Sequence, residues 1–536
     1  MTKCDICGDS SMEWNESTLE DHLRDSHHWP SVKSIYGDQY AYLFESDESP
    51  AEDDEDGEED EPEEPNTDVP DAPEATATGQ SLADSATGKK WYMIGVGGAG
   101  NNIIDAVLLR RNTLVQNNEE RAQVWQRGLA GFGSLNTNLA ELSQTYYAKE
   151  LRNFNRQDLI GNAIIGWGKS DYAGAGTRWD IGKRLMEADF EDGGDPFVER
   201  WDMTKQDIRD AQALMFVHSV TKGTGCGATP VLASYIRDEV LDDSFIVSKP
   251  MLSSVVIPSE GTEFSEFGGR AKVNGVVGLA RLSQSVDAVI PFDNRRLQKV
   301  HADITPRIEG IEEYNHPHYA ELNKPLVAFL EAFTMSSIPE YQEATMSIRG
   351  DVFDVADSLR PVEDKYPIDA DREYKPAVVL APILGRSRDR DFDRSSLELL
   401  TRNAMYQNRL AEFDPQSAWG GTFLFYGPEE KMRSVWDLVS DGEFIDIVTG
   451  EEFLDAGRTT GAESVDIQTK QLVVPYLDDV YLWGTLWNPR LPSLEKMYEH
   501  AKELKDNARS EQAENLQDIW HLVDPLFSAL GRENMA

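Results

Sequence analysis

Two stretches decide the fold of this chain: Gly95-Val-Gly-Gly-Ala-Gly-Asn-Asn102 and Thr221-Lys-Gly-Thr-Gly-Cys-Gly227. Each follows a short apolar run, Trp91 to Ile94 or Leu214 to Val217, and precedes a stretch with helical apolar spacing. That order predicts strand, loop and helix at both places. Glycine lets the backbone close on a phosphate, and the start of a helix supplies unpaired N–H groups and a favourable dipole. Two such loops in one domain indicate a nucleotide held from both sides.

The rest of the chain organises around these loops. Strand-like apolar runs alternate with helical patterns over 89–311, which implies a parallel sheet covered by helices. A helical stretch, 312–336, leads into a second mixed region, 337–460. Residues 461–536 carry charged stretches with helical spacing and predict a largely helical extension. We therefore expect an α/β protein in which a central helix joins a Rossmann-like nucleotide domain to a second α/β domain.

The amino-terminal segment, 1–30, predicts a small zinc module. The ligand order and spacing of a tetrahedral two-Cys, two-His site are supplied by Cys4, Cys7, His22 and His27. His28 could replace His27, and the alternative is a chance CxxC beside solvated histidines. Zinc would be structural, because so short a segment cannot otherwise bury a core. Its helix is acidic apart from Arg24, which favours a protein-binding module over a DNA reader.

A long acidic segment follows. Residues 31–45 predict a short helix, and 46–88 lack apolar periodicity, so we expect a disordered linker extended by charge repulsion. The net charge is −45, and the 14 acidic side chains of residues 45–65 leave −31 for the remainder. This excess is typical of proteins from salt-in halophiles, where high ionic strength screens self-repulsion. An acidic protein of an ordinary cytosol is the alternative.

The composition excludes several classes of protein. No run approaches the roughly 20 apolar residues of a membrane span. The first residues lack the apolar core of a signal peptide, which predicts a cytosolic (cytoplasmic) protein. Three cysteines cannot build a disulfide framework. Nothing concentrates positive charge against phosphates, so we expect no nucleic-acid partner.

Seven motifs resemble, in order, those of the tubulin/FtsZ superfamily of GTPases. The first loop resembles the first nucleotide loop of FtsZ, and Lys222-Gly-Thr-Gly-Cys-Gly-Ala-Thr-Pro230 is similar to the Gly-Gly-Thr-Gly-x-Gly signature that FtsZ and tubulin share. The other resemblances are Asn136-Thr-Asn138, Gly174-Ala-Gly176, Glu266-x3-Arg270 followed by Lys272 and Gly278-Leu279, Asp293-Asn294, and Tyr319-Ala-Glu-Leu-Asn323.

The resemblance implies a GTP or GDP site with Mg²⁺ or K⁺. It assigns the two glycine loops to the α- and β-phosphates, 174–177 to the γ-phosphate and Glu266 to the ribose. Asn294 and Asn323 suit a guanine edge, and Tyr319 can stack on the base. The candidate nucleotide-binding residues are Gly97, Gly98, Ala99, Gly100, Asn101, Asn102, Asn136, Asn138, Gly174, Ala175, Gly176, Thr177, Gly223, Thr224, Gly225, Cys226, Gly227, Glu266, Arg270, Asn294, Tyr319 and Asn323.

The segment Phe353-Asp-Val-Ala-Asp-Ser358 resembles the loop that the next subunit of the superfamily inserts to complete the pocket. Asp354 and Asp357 are the implied catalytic residues, one orienting the attacking water and the other supporting it or Mg²⁺. An acidic helix start favoured by the helix dipole is the alternative. Three positions depart from the pattern: Lys222 replaces a glycine, Asn138 an aspartate and Val352 an asparagine. Nucleotide binding is therefore better supported than polymer-coupled hydrolysis.

A chain with these motifs has three candidate functions. The first is a GTPase that self-associates head to tail into filaments, since a site shared across a heterologous interface does not close on itself. The second is a non-polymerising, nucleotide-gated adaptor that recruits a partner through the zinc module. The third, a dinucleotide-dependent oxidoreductase, needs an acid at the end of the second strand, and Leu135 to Asn138 contains none.

Overall fold

The structure is a computed structural model. It describes residues 91–117, 129–153, 164–166, 174–191, 208–241, 249–258, 263–311, 317–336, 378–450, 453–454, 466–475, 477–507 and 511–530. Within these ranges no helix is both long enough and apolar enough to cross a membrane. The predicted zinc ligands, the acidic linker and the pair Asp354 and Asp357 lie outside the described residues.

The first domain is built on a six-stranded parallel sheet with the strand order β3-β2-β1-β4-β5-β6. Its strands are β1 (Trp91–Val96), β2 (Leu129–Asn136), β3 (Ile164–Gly166), β4 (Ala213–Ser219), β5 (Met251–Ile257) and β6 (Ala288–Asp293). Every residue of β1, β4, β5 and β6 is buried. Continuous apolar runs of this kind are expected where helices cover both faces of a parallel sheet, so the alternating pattern of the sequence predicted the architecture correctly.

Helices follow the strands and cover the sheet. They are α1 (Gly97–Gln116), α2 (Leu139–Ser143), α3 (Tyr146–Asn153), α4 (Trp179–Glu191), α5 (Gly223–Tyr235), α6 (Glu263–Ser285) and α7 (Asn294–Leu297), with a π turn at Ile236–Val240 and a 3-10 turn at Ala302–Ile304. Helix α6 is kinked at Gly268, whose φ of 57° and ψ of −139° are not helical. The kink separates the start of α6 from its long buried part.

A central helix, α8 (Pro317–Met335), connects the two sheets through an aromatic cluster. Phe333 of α8 lies 5.1 Å, centroid to centroid, from Trp91 of the first sheet. On its other side it stacks 5.1 Å from Trp483 of the second sheet. Phe329, one turn earlier, lies 5.0 Å from the same tryptophan. These rings make α8 part of both cores, so a displacement of this helix would disturb both domains.

The second sheet has four strands in the order β7-β10-β8-β9. They are β7 (Leu380–Ser387), β8 (Gly420–Gly427), β9 (Asp466–Val473) and β10 (Val480–Trp487). The helices around it are α9 (Arg394–Arg402), α10 (Glu429–Ser440) and α11 (Glu443–Val448), with a π turn at Asn403–Gln407 and a 3-10 turn at Pro415–Ser417. Strands β8 and β9 are parallel, whereas β10 pairs antiparallel with both of its neighbours.

Strands β9 and β10 lie beyond residue 460, where the sequence predicts a largely helical extension, so the structure differs from that expectation. The eight residues of β10 are almost entirely buried and apolar. A short apolar run of this kind has no periodicity that separates a central strand from a buried helix. The chain is helical only after the sheet is complete, in α12 (Pro492–Asn507) and α13 (Glu511–Ala529).

Candidate nucleotide site

Three loops leave the first sheet side by side. In the strand register Val96, the last residue of β1, pairs with His218 of β4 on one side and Leu135 of β2 on the other. The strand order reverses between β1 and β4, and the crevice outside such a switch point is where open α/β sheets bind ligands. The topology therefore brings Gly97, Asn136 and Thr221 to one edge of the sheet.

Two helices begin in this crevice. Helix α1 starts at Gly97 directly after β1, and α5 starts at Gly223 after β4. The residues at the two N-cap positions, Val96 and Lys222, make no side-chain capping hydrogen bond. The first turn of each helix therefore has backbone N–H groups that its cap does not satisfy, and such groups bind anions well.

The two glycine loops touch each other at Gly97. This residue has a φ of 74°, in the left-handed region that favours glycine. A Cβ at Gly97 would lie 3.3 Å from both the backbone nitrogen of Gly225 and the Cβ of Thr224. The first turn of α1 therefore faces the first turn of α5, so that one ligand can contact both.

Other glycines of the motifs are required by packing inside the protein. A Cβ at Gly100 would lie 2.1 Å from the carbonyl oxygen of Val217, and one at Gly227 would lie 2.0 Å from that of Trp179. Gly223 would meet the carbonyl oxygen of Arg178 at 2.5 Å. These glycines let α1 approach β4 and let α5 approach α4. The motifs thus contain two kinds of glycine. One kind gives the loop its conformation at the crevice, and the other lets a helix pack closely against its neighbour.

The loop after β2 is joined to the second glycine loop by two threonines. The hydroxyl oxygens of Thr137 and Thr224 lie 2.7 Å apart and share a hydrogen bond. A Cβ at Gly174 would lie 3.9 Å from the same Thr137 hydroxyl. Loop 174–177 therefore lies beside the other three loops, and its contact with a nucleotide stays a prediction.

Loop 174–177 is held in an unusual backbone conformation. Gly174, Gly176 and Thr177 have φ values of 102°, 56° and 61°. A positive φ is uncommon for a β-branched residue such as threonine. The side-chain amide of Asn274, on α6, donates 2.9 Å hydrogen bonds to the carbonyl oxygens of Thr177 and Thr221. One buried amide thus connects this loop to the start of the second glycine loop.

Three asparagines of the predicted site use their side chains within the protein. Asn101 donates to the carbonyl of Leu135 at 3.2 Å and accepts from Ser134 at 2.7 Å. Asn136 accepts from the backbone N–H of Asn138 at 3.2 Å. Asn138 caps α2, accepting from two backbone N–H groups. Because these side chains make hydrogen bonds within the protein, the three asparagines would act on a bound nucleotide mainly by shaping the loops.

A carboxylate lies beside the first glycine loop. The Oε2 atom of Glu141 would be 3.4 Å from a Cβ at Gly98 and accepts a 3.1 Å hydrogen bond from the Asn136 amide. A negative charge at this place would repel a phosphate unless a cation lay between them. Carboxylate oxygen is a ligand that Mg²⁺ prefers. Glu141 is thus the described acidic side chain best placed to hold a metal ion at this loop.

Two ionisable side chains behind the loops stay neutral. Burial lowers the pKa of His218 to about 3, although the ring keeps a 2.9 Å hydrogen bond between Nε2 and the Ser253 hydroxyl. Burial also raises the pKa of the Cys226 thiol to about 12, and its Sγ donates to the carbonyl of Asn274 at 3.1 Å. Cys226 is therefore a core thiol, and any contact it makes with a ligand is through its backbone.

The segments predicted to hold the sugar and base are described in part. Arg270 is exposed on α6, and Asn294 is the first residue of α7. Tyr319 is 43% exposed, as a side chain available for stacking should be. Asn323 is only 5% exposed. Glu266 belongs to α6, but its side chain is outside the described set.

Sequence reasoning missed three residues of this crevice: Thr137, Glu141 and Asn274. Thr137 lies between two predicted residues and showed no separate signal. Glu141 looked like an ordinary acid in the first turn of a helix. Asn274 did offer a sign, because asparagine is unfavourable inside a helix, and this one is flanked by Val273 and Gly275.

Comparison with known proteins agrees with this geometry. Residues 90–302 match the Tubulin/FtsZ family, GTPase domain. A tubulin-like protein CetZ of Pyrococcus furiosus is 28% identical over 157 residues, 29% of this chain and 37% of that protein. The CetZ of Thermococcus kodakarensis is 28% identical over 178 residues, 33% of this chain and 40% of that protein. The matches thus span about two fifths of the length of these curated relatives.

A solved structure extends the similarity to both domains. CetZ2 of Haloferax volcanii, a protofilament bound to GTPγS, superposes with a TM-score of 0.53 at 16% identity. The superposition covers 78% of this chain and 100% of that one. The tubulin/FtsZ fold that the motifs implied is therefore confirmed. The zinc module stays a prediction, because residues 1–30 lie outside the described residues.

Proposed function

We propose that this chain binds GTP at the crevice between β1 and β4, hydrolyses it at a site completed by the next subunit, and assembles head to tail into filaments. The observation that carries the proposal is the convergence of four loops and two helix starts at the switch point of the sheet. Two comparisons support the proposal: residues 90–302 match the Tubulin/FtsZ GTPase domain, and the fold resembles that of a CetZ2 protofilament.

The phosphate end fits the described residues well. The first turns of α1 and α5 face each other across Gly97, so backbone N–H groups from both could hold one diphosphate unit. The hydroxyl of Thr221, buried at the entry to α5, has no hydrogen-bond partner among the described residues. We assign Glu141 to Mg²⁺, which would neutralise charge on the phosphates when bound. Loop 174–177 would then contact the γ-phosphate.

The base end rests on Asn323. Asn323 is only 5% exposed, so its side-chain amide has little access to water. A guanine edge offers a donor and an acceptor that could satisfy both ends of this amide. Exposed Tyr319, one turn earlier on α8, would cover the ring. Both roles are proposals that the superfamily resemblance implies.

Hydrolysis and assembly rest on Asp354 and Asp357. In the proposed filament this pair enters the crevice of the neighbouring subunit and orients the attacking water. The nucleotide would then lie at each subunit junction, and its hydrolysis would weaken that junction. We also propose that the zinc module, 1–30, recruits a protein partner to the filament through the acidic arm.

The test is GTP turnover measured against protein concentration in several molar KCl with Mg²⁺, with right-angle light scattering recorded in parallel. We expect turnover per subunit to rise above a threshold concentration together with scattering. Asp357→Ala should abolish turnover while GTP binding and scattering persist, and Asp351→Ala serves as a nearby acidic control. Turnover at the wild-type rate in Asp357→Ala would refute the catalytic assignment. Tight binding without scattering or turnover would instead favour the nucleotide-gated adaptor.

A further inference from the structure

The side-chain amide of Asn274 is buried between two loops of the described crevice. Its side chain is 1% exposed. It donates to the carbonyl of Thr177 and the carbonyl of Thr221 at 2.9 Å each. The two carbonyls belong to different loops, one before α4 and one before α5. A single side chain therefore sets the distance between the loop proposed to contact the γ-phosphate and the loop proposed to hold the other phosphates.

The loop that Asn274 holds is strained. Thr177 has a φ of 61°, and a non-glycine residue keeps this unfavourable conformation only where its surroundings enforce it. The neighbouring turn contributes one further restraint, a 3.0 Å bond from the N–H of Arg178 to the carbonyl of Ala175. Because the Asn274 bond acts on the strained residue itself, it is the restraint best placed to keep Thr177 left-handed.

Asn274 is also placed to transmit changes between loops. Its backbone carbonyl accepts from the thiol of Cys226, inside the first turn of α5. It stands one turn after Arg270 on α6, the helix whose start carries the proposed ribose contacts. Helix α6, the second glycine loop and loop 174–177 thus meet at one residue. A shift of loop 174–177 on loss of the γ-phosphate must either break or carry these hydrogen bonds.

We propose that Asn274 is a positioning residue that holds loop 174–177 against the second glycine loop and thereby sets the preference for a nucleoside triphosphate over the diphosphate. The inference rests on the proposed function and adds a residue to it. Asn274 itself touches no phosphate in this scheme. It acts on the ligand by fixing where the backbone N–H groups of residues 174–177 lie.

The experiment measures dissociation constants of the full chain for GTPγS and for GDP in molar KCl with Mg²⁺. The variants are Asn274→Ala and Asn274→Leu, the second of which keeps the side-chain volume but cannot donate. Two hydrogen bonds of ordinary net strength correspond to about tenfold or more in affinity. We expect both variants to lose about tenfold in affinity for GTPγS and less than threefold for GDP. The preference for GTPγS over GDP, measured as the ratio of the two dissociation constants, should therefore fall.

A control separates this role from a general loss of stability. Asn408 is also buried, at 4% exposure, and accepts from the backbone N–H of His301 in a different part of the chain. Asn408→Ala should lower the unfolding temperature and leave the GTPγS-to-GDP ratio unchanged. Thr177→Gly in the Asn274→Ala background should recover part of the ratio, since glycine holds a positive φ without help.

The outcomes distinguish the two proposals. If the wild type binds neither nucleotide, the proposed function fails. If the wild type prefers GTPγS and both Asn274 variants keep its ratio, the function stands and the role of Asn274 is overturned. Equal losses for GTPγS and GDP would also overturn it, because they would indicate collapse of the whole crevice.

Discussion

Gly98 and Gly100 lie two residues apart in the first glycine loop, and we predict that adding one methyl group has opposite effects at the two positions. A Cβ at Gly100 would lie 2.1 Å from the carbonyl oxygen of Val217 and 3.0 Å from its carbonyl carbon. The strand residue it meets is backbone in the middle of a sheet and cannot rotate away. A Cβ at Gly98, which is exposed, would meet only the Glu141 carboxylate, at an ordinary 3.4 Å.

The magnitudes follow from these distances. An ordinary contact needs about 1 Å more room than Gly100 has, so Gly100→Ala must move α1 away from β4. Overpacking costs about 1–3 kcal/mol, and a 2.1 Å contact with rigid backbone belongs at the upper end, about 3 kcal/mol. At about 2–4 °C per kcal/mol for a domain of this size, the unfolding temperature should fall by about 6–12 °C. Gly98→Ala should instead hold or raise stability, by up to about 1 kcal/mol, because alanine restricts the unfolded chain.

The assay is thermal unfolding followed by circular dichroism in molar KCl without nucleotide, and GTPγS binding to each folded variant at low temperature. In the proposed site Gly98→Ala places a methyl group where the phosphates approach the backbone, so we expect GTPγS affinity to fall at least tenfold with stability intact. Gly100→Ala should show the large loss of stability. If Gly100→Ala unfolds at the wild-type temperature, the packing argument is wrong. If Gly98→Ala binds GTPγS normally, that glycine is not at the phosphates.

Two further predictions concern buried charge. Burial lowers the pKa of His218 to about 3 in the folded protein. As the pH falls below about 6.5, the unfolded chain therefore binds this proton while the folded protein does not. The free energy of unfolding should fall by about 1.4 kcal/mol for each pH unit of acidification between about pH 6 and pH 4. Denaturant titrations of wild type and His218→Gln should differ by that slope, and parallel pH profiles would contradict the prediction. Arg110 and Glu331 form an ion pair at 2.9 Å, with side chains 6% and 4% exposed, between α1 and α8. Arg110→Met should cost about 3–5 kcal/mol, because it removes the charged partner of a buried carboxylate. Arg110→Met with Glu331→Leu should recover most of this loss. A loss below about 1 kcal/mol in the single variant would show that water reaches the pair.

Much of the first domain could be predicted because its signals are local. Strand, glycine loop and helix follow one another within about 15 residues at both Gly97 and Gly223, and each loop has its own motif. The second sheet was harder. The pairing partners of β10 are β7 and β8, which lie far from it in the sequence, so nothing near residues 480–487 distinguishes a central strand from a buried helix.

The sequence by itself determined the α/β class, the superfamily resemblance and the loops that should hold a nucleotide, since these depend on residue type and short spacing. Only the tertiary structure decided what each loop residue does. Gly98 and Gly100 look alike in the motif, yet a Cβ at Gly98 would meet only the Glu141 carboxylate, at 3.4 Å, whereas one at Gly100 would lie 2.1 Å from the carbonyl oxygen of Val217. Asn274 lies nearly a hundred residues beyond Thr177 in the sequence, and only the packing of α6 against the two loops brings its amide within 2.9 Å of that carbonyl. Contacts between distant segments depend on how the helices pack on the sheet, and no local pattern of residues records that packing.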